Sequence, residues 1–248
     1  MSEVDDLRER VAEACRVLAR LDLTKAATGH VSARVPGSDR VLVRARGPGE
    51  LGVRYTTARE IIDVDLDGKP LGTPERGLET PIEVFIHTAI YQARPEVNAV
   101  VHVHPAMVVL FTICNKPLLP LYGAYDPGSL QLALEGIPTF QRSVLVSTPA
   151  LGEELAQAMG RSRTCMMRGH GITTADASIE EAALAAIHLN ELATMNYQAH
   201  LLGNPVPIPQ EEQEAFRRLP APRPQGEAGR PGGRAGALWR YYSTLTAD

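Results

Sequence analysis

Residues Ala99-Val100-Val101-His102-Val103-His104-Pro105 decide how this chain is read. A mostly apolar, valine-rich run closed by a proline predicts a buried strand over Ala99 to His104 and a helix beginning at Pro105. Side chains alternate along a strand, so His102 and His104 emerge on one face, a short distance apart. Neutral imidazole is the commonest nitrogen ligand for Zn²⁺ and similar ions. Strand-end histidines hydrogen-bonded to loops are the competing reading, and this motif alone does not separate the two.

Working outward, Thr80-Pro81-Ile82-Glu83 predicts a helix start running to about Ala93: a capping hydroxyl, proline at the first helical position and Glu three residues on. Upstream, Leu7, Val11, Cys15, Leu18 and Leu21 recur at helical spacing. His30 to Arg34 and Arg40 to Arg44 read as a hairpin around Pro36 to Asp39, Gly47-Pro48-Gly49 opens a loop, and Thr57 with Glu60 has capping-box spacing before a strand from Ile61 to Leu66. Downstream, Thr148-Pro149 starts a helix reaching Met159, and Thr164 to Arg168 is a short strand ending at Gly169-His170-Gly171. Ser178 and Glu181 then cap a long Ala-rich helix that ends at Gly203. Strands and helices interleave, which predicts one layered α/β domain over residues 1–208. Residues 209–248 read as a Pro/Gly/Arg-rich tail. Its end, Leu238-Trp239-Arg240-Tyr241-Tyr242, is too aromatic for a merely solvated one.

His170 strengthens the metal reading. It lies between two glycines at the end of a second strand, where α/β sheets build their sites and where glycine lets backbone and ligand approach closely. Three histidines from two strand ends form a tripod with an open position, the catalytic rather than the closed structural pattern. His87, His188 and His200 fall within helices and read as helix-face or core histidines. Glu83 is explained by its capping-box spacing, yet near a metal it is also a candidate ligand or proton shuttle. The residues alone favour the cap.

Composition narrows the alternatives. The 248 residues are 44 % hydrophobic and 5 % aromatic, with a net charge of −4. A core of Ala, Val and Leu is expected, and no basic run suits a nucleic acid. No apolar stretch approaches a membrane span, and the acidic N-terminus is unlike a signal peptide. Cys15, Cys114 and Cys165 are far apart and read as small buried hydrophobes in a reducing cytoplasm.

Glu83, Phe85, His87, Tyr91, Arg94-Pro95, the run from Ala99 to His104 and Arg168-Gly169-His170-Gly171 together resemble the class II aldolase/adducin family, from about Leu7 to about Gly203. The resemblance implies a three-layer α/β/α fold around a mostly antiparallel sheet, and a homotetramer with active sites at subunit interfaces. It implies that His102, His104 and His170 hold a divalent metal, Zn²⁺ foremost, with Mn, Co or Fe as alternatives. It matches Glu83 to the family's acid/base residue and Tyr122, eighteen residues after His104, to a tyrosine that protonates substrate from a neighbouring subunit. The competing reading of Tyr122 is a loop aromatic in the core.

The departures from the family's sugar-phosphate enzymes bear on the substrate. Their phosphate is held by a Gly-Asn pair, a Thr-Gly turn and two hydroxyls before the acid. Here the corresponding positions read Gly29-His30, Arg44-Ala45-Arg46-Gly47 and Pro81-Ile82. A phosphate dianion needs several donors, and most are missing. Gly29 to Arg34, the arginine-bearing loop and Pro81 to His87 look instead like the branch that decarboxylates hydroxylated aromatic acids of the dihydroxyphthalate type. This resemblance implies a small anionic substrate, with Gly29, His30, Arg44 and Arg46 as its contacts and His30 as a second proton-transfer group. An aldolase for an unphosphorylated hydroxy or keto acid, an Fe(II) oxygenase of an aromatic acid, and a non-catalytic module like the adducin head are the other readings. The last is disfavoured because every ligand candidate is present.

Overall fold

The computed structural model describes residues 2–74, 77–218 and 232–246. Helix α1 (Glu3–Arg20) starts at a Ser2 capping box closed by Asp5 and buries Val11, Cys15 and Leu18 at helical spacing. Strands β1 (His30–Arg34) and β2 (Val41–Arg44) form the expected hairpin, with Ser32 opposite Val43. Thr57 and Glu60 do form a capping box, on the single turn Ala58–Glu60 that leads into β3 (Ile61–Val64).

Helix α2 (Val84–Ala93), strand β4 (Ala99–Val103) and helix α3 (Ala106–Ile113) follow. Then come α4 (Pro127–Glu135), β5 (Thr139–Phe140), α5 (Pro149–Met159), β6 (Thr164–Met167), β7 (Gly171–Asp176) and α6 (Ile179–Leu202). The seven strands run β3-β2-β1-β4-β7-β6-β5 across one sheet. Every named pair is antiparallel except β5 with β6. β4 lies at the centre and is covered on both faces, which accounts for its nearly unbroken apolar sequence.

The two faces carry separate cores. Val31, Val101, Val103 and Ile172 pack with α1, α3 and α6, joined by Trp239 of a C-terminal helix. Val43, Val100, Cys165 and Ala175 pack with Ile86 and Ile90 of α2 and Leu155 and Met159 of α5. The result is the three-layer α/β/α arrangement.

Four expectations are revised. The helix after Thr80 starts at Val84, because the chain makes a turn first, with the Val84 N–H donating to the Pro81 carbonyl at 3.0 Å. Cys114 is exposed at the end of α3, whereas Cys15 and Cys165 are buried. Helix α4, capped by Asp126 with proline in its first turn, and strands β5 and β7 are additional elements. Finally, the stretch after residue 208 is not a detached tail where it is described. It forms α7 (Gln210–Arg217) and α8 (Gly233–Ser243), and the Trp239 side chain of α8 enters the α1/α6 core at 7 % exposure. Residues 219–231, most of the Pro/Gly/Arg-rich stretch, lie outside the described residues.

Candidate metal centre

Three strands converge on the site. His30 of β1 lies directly opposite His102 of β4, which in turn faces Thr173 of β7. Alternation directs His102 to the α2/α5 side, away from Val101 and Val103, and His104 follows on the same side just past the strand end. His170 sits in the β6–β7 turn. There Gly169 adopts φ +62° and its N–H donates to Thr112 Oγ1 at 3.0 Å.

Glycine is required at two positions beside these histidines. A Cβ on Gly171 would stand 2.4 Å from the Val103 carbonyl oxygen and 2.6 Å from the His104 ring. A Cβ on Gly29, itself at φ +87°, would stand 2.7 Å from Thr24 Oγ1 and 3.0 Å from the His102 carbonyl oxygen.

Glu83 completes the cluster from the α2 side. It occupies the N-cap position of α2 but makes no capping bond with its side chain, and the Thr80 hydroxyl is buried without a partner among the described residues. The capping-box explanation of Glu83 is therefore set aside. Its Oε1 accepts the Val146 N–H at 2.8 Å, and its Oε2 lies 3.4 Å from His170 Nε2 and 3.7 Å from His102 Nε2. His102 and His104 bring their Nε2 atoms to 2.9 Å of one another. One ligand atom from each of Glu83, His102, His104 and His170 falls within 4.8 Å of all the others. Donors about 2.0–2.1 Å from a tetrahedral ion stand roughly 3.3–3.5 Å apart, so the set is of the right size.

The chemistry of the donors fits a cation as well. His102 Nδ1–H donates to the Ile172 carbonyl at 3.0 Å, which leaves a lone pair on Nε2 aimed into the cluster. Both ring nitrogens of His170 are buried, and apart from Glu83 Oε2, 3.4 Å from Nε2, they have no hydrogen-bond partner among the described residues. Burial holds His102 well below the ordinary histidine range, and burial with the neighbouring His170 brings His104 down to about 4. Both are thus neutral near neutral pH, the form in which an imidazole can bind a cation. Burial pushes the Glu83 carboxyl up, but His170, the Val146 N–H and His104 outweigh it and keep the group below its usual value.

The other candidates are dispersed. The His30 ring lies 5.1 Å from that of His102, so β1 delivers it to the cluster. Arg44 is buried and fully engaged: Nε donates to Thr56 Oγ1 at 3.0 Å, Nη1 to the Ala27 and Gly29 carbonyls at 3.2 and 3.5 Å, and Nη2 pairs with Glu50. This corrects its reading as a substrate contact; Arg44 braces the turn that carries Gly29. Arg46 is 45 % exposed, paired with Glu79 at 2.7 Å and within 3.4 Å of the Thr80 carbonyl, three residues before Glu83. Tyr122 packs against Tyr125 at 5.2 Å with its hydroxyl buried on the Ser129 side, and these contacts do not join it to the cluster of its own chain.

Sequence reading took His87 for a helix-face or core histidine and gave Ser32 and Tyr91 no role of their own; His87 is indeed fully buried, but it belongs to a chain of polar groups. His87 Nε2 lies 2.6 Å from His30 Nδ1, His87 Nδ1 lies 2.6 Å from Ser32 Oγ, and Ser32 Oγ lies 2.8 Å from Tyr91 Oη. The signal was present: Glu83, His87 and Tyr91 recur every four residues and share one face of α2, while His30 and Ser32 share one face of β1.

Comparison with known proteins identifies the family. The model of the Class II Aldolase and Adducin N-terminal domain matches residues 9–197. The chain is 42 % identical over 198 residues to a 3,4-dihydroxyphthalate decarboxylase of Arthrobacter keyseri, covering 79 % of each sequence. It is 37 % identical over 237 residues to a 3,4-dihydroxyphthalate decarboxylase of Terrabacter sp. (strain DBF63), covering 94 % of each. An aldolase II superfamily protein from Pseudomonas syringae shares the fold, with a TM-score of 0.80 at 24 % identity over 100 % of this chain and 93 % of that one.

Proposed function

The chain belongs to the class II aldolase and adducin family and is a carbon–carbon lyase, and from that premise we propose that it decarboxylates a hydroxylated aromatic acid of the dihydroxyphthalate type. The observation that carries the reading is the convergence of Glu83, His102, His104 and His170 on one point. His102, His104 and His170 would hold the ion, and a donor set of imidazoles with one carboxylate suits Zn²⁺ first, with Mn, Co or Fe as alternatives. A divalent ion there supplies Lewis acidity, lowering the pKa of a ring hydroxyl and stabilising the negative charge left when CO₂ departs.

The chain's own groups do the rest. Glu83, with one oxygen fixed by the Val146 N–H and the other facing the ring nitrogens, takes the proton of the ring hydroxyl and returns it to the ring carbon from which CO₂ has left. His30 and the half-exposed end of Arg46 orient the carboxylate that is retained. Pro81 and Ile82 offer no hydroxyl, and the Arg44 fork is already bound, so a sugar phosphate has few donors to meet.

We assign Tyr122 to the site of a neighbouring subunit in a homotetramer. Ile82, Ile113 and Leu145, each about half exposed, support an interface here: Ile82 adjoins Glu83, Leu145 adjoins Val146, and Ile113 lies against Gly169. No helix among the described residues is long and apolar enough to cross a membrane, and we place the enzyme in the cytoplasm.

The test is metal analysis together with CO₂ release from a panel of hydroxybenzoates and hydroxyphthalates. Metal-dependent CO₂ release is the expected result. Turnover of a sugar phosphate with no CO₂ from any aromatic acid would overturn the proposal.

A further inference from the structure

The buried chain Tyr91–Ser32–His87–His30 has a direction, and the direction fixes how His30 meets a ligand. Tyr91 is 1 % exposed, and Ser32 and His87 are fully buried. At the far end, the Tyr91 hydroxyl has Ser32 Oγ, 2.8 Å away, as its hydrogen-bond acceptor, and it has no other among the described residues. A buried phenol O–H without an acceptor is costly, so Tyr91 donates to Ser32. The Ser32 proton is then left with His87 Nδ1, 2.6 Å away. A ring nitrogen that accepts carries no proton, so the His87 proton sits on Nε2 and points at His30 Nδ1 across 2.6 Å. His30 Nδ1 in turn accepts, and the His30 proton resides on Nε2, the nitrogen left for a ligand. The reverse direction would strand the Tyr91 proton.

We propose that His87 is a positioning residue which, backed by Ser32 and Tyr91, holds His30 as its Nε2–H tautomer, so that His30 presents a hydrogen-bond donor to an oxygen of an anionic substrate. Ring geometry agrees with a fixed orientation. His30 and His87 lie with centroids 4.8 Å apart and planes tilted by 55°, while His30 and His102 lie at 5.1 Å and 35°. His30 is thus clamped between a helix residue that sets its tautomer and the strand residue at the metal centre. The arrangement parallels the hydrogen bond from His102 to Ile172, which fixes that ring's tautomer from behind. A donor beside the ion favours a carboxylate or phenolate oxygen over a cationic or neutral amine group. The identity of the ligand as a hydroxylated aromatic acid rests on the proposed function; the tautomer does not.

The experiment is long-range ¹H–¹⁵N correlation NMR on histidine-labelled protein, metal-free and Zn²⁺-loaded, with 2-hydroxybenzoate as the probe ligand. His30 and His87 should each show a protonated Nε2 and a bare Nδ1. A His30 protonated on Nδ1 would overturn the proposal. In Tyr91→Phe a second form of His30, protonated on Nδ1, should appear at unchanged metal content. An unaltered His30 in that variant would remove Tyr91 as the source of the direction. Should Tyr91→Phe fail to fold, the unmodified protein still decides the tautomer. On adding 2-hydroxybenzoate the His30 Nε2–H resonance should move while that of His87 stays. A silent His30 alongside measurable CO₂ release defeats the donor role and leaves the lyase reading intact. The expected tautomers without any CO₂ release support the positioning role and defeat the decarboxylase reading.

Discussion

The two faces of β4 solve different problems with alternate residues of one strand. Toward α1 and α6, Val101 and Val103 enter an apolar core in which buried polar groups have partners in the chain. Thr174 Oγ1 donates to the Ala182 carbonyl at 2.6 Å, and Glu180 is held by Arg10 at 2.9 Å. Toward α2 and α5, Val100 is followed by His102, and beyond it polar groups gather that the described residues do not fully satisfy, with His170 meeting only Glu83 Oε2, at 3.4 Å from Nε2. Burying polar groups without partners costs folding free energy. The first face is therefore built for stability, and the second leaves capacity for an ion and a ligand.

The sharpest way to break this contrast is a paired substitution on the same strand. His102→Ala/His104→Ala should remove bound metal and abolish activity while circular dichroism still shows a folded chain. Val101→Ala, one residue away on the other face, should retain metal and kcat yet cost about 2 kcal/mol of stability from two lost buried methyl groups and the cavity they leave. Full metal content in the double histidine variant, or metal loss in Val101→Ala, would erase the division between faces.

A smaller effect is expected at Glu83, the only carboxylate in the cluster. Glu83→Gln preserves shape and the bond from Val146 but cannot shuttle a proton as a carboxylate does. The rate should fall by roughly 10²-fold with little change in melting temperature. An unchanged kcat in Glu83→Gln would confine the residue to packing against Val146.

The first face was more legible in the sequence than the second. Val11, Cys15 and Leu18 announce α1 because burial follows helical period, and His102 with His104 announces a shared face because strands alternate. What stayed hidden depends on contacts distant in sequence. Glu83 has capping-box spacing from Thr80, but a turn delays α2 and sends the carboxylate to Val146, sixty-three residues on. Arg44 looked like a free fork, and only the fold shows Thr56, Glu50 and two carbonyls converging on it. Trp239 follows a Pro/Gly/Arg-rich run that suggests a tail, yet it lands in the α1/α6 core. Composition reports what a segment can bury, not where a partner waits for it.

Acid should discriminate between the faces next. Burial lowers the His87 pKa from 6.5 to about 3. The unfolded chain therefore binds a proton that the folded chain refuses, and stability falls as pH drops through that window. One such proton changes the unfolding equilibrium by up to about tenfold per pH unit below 6.5. In metal-free protein between pH 7 and pH 5, amide protection factors in α2 should decline before those in α6, whose inward face is largely alanine and leucine. Equal decline in the two helices would mean that opening is global and that the buried histidines set no local weak point.

The smallest effect is expected at the rim. Of the two arginines read as substrate contacts, Arg44 is buried against Glu50, whereas the Arg46 side chain is about half exposed. Its present partner, Glu79, is more exposed still, at 61 %. An exposed pair of this kind contributes at most about 1 kcal/mol, so it is easily exchanged for a substrate carboxylate. Because the gain is uniform in ground and transition states, Arg46→Ala should raise KM by roughly two- to fivefold and leave kcat and metal content unchanged. The increase should shrink as salt is added, since the contact is screened. Steady-state kinetics at low and high ionic strength checks this. A fall in kcat at constant KM would place Arg46 in the chemistry instead of at the entrance, and no change in either constant would leave His30 to orient the carboxylate without it.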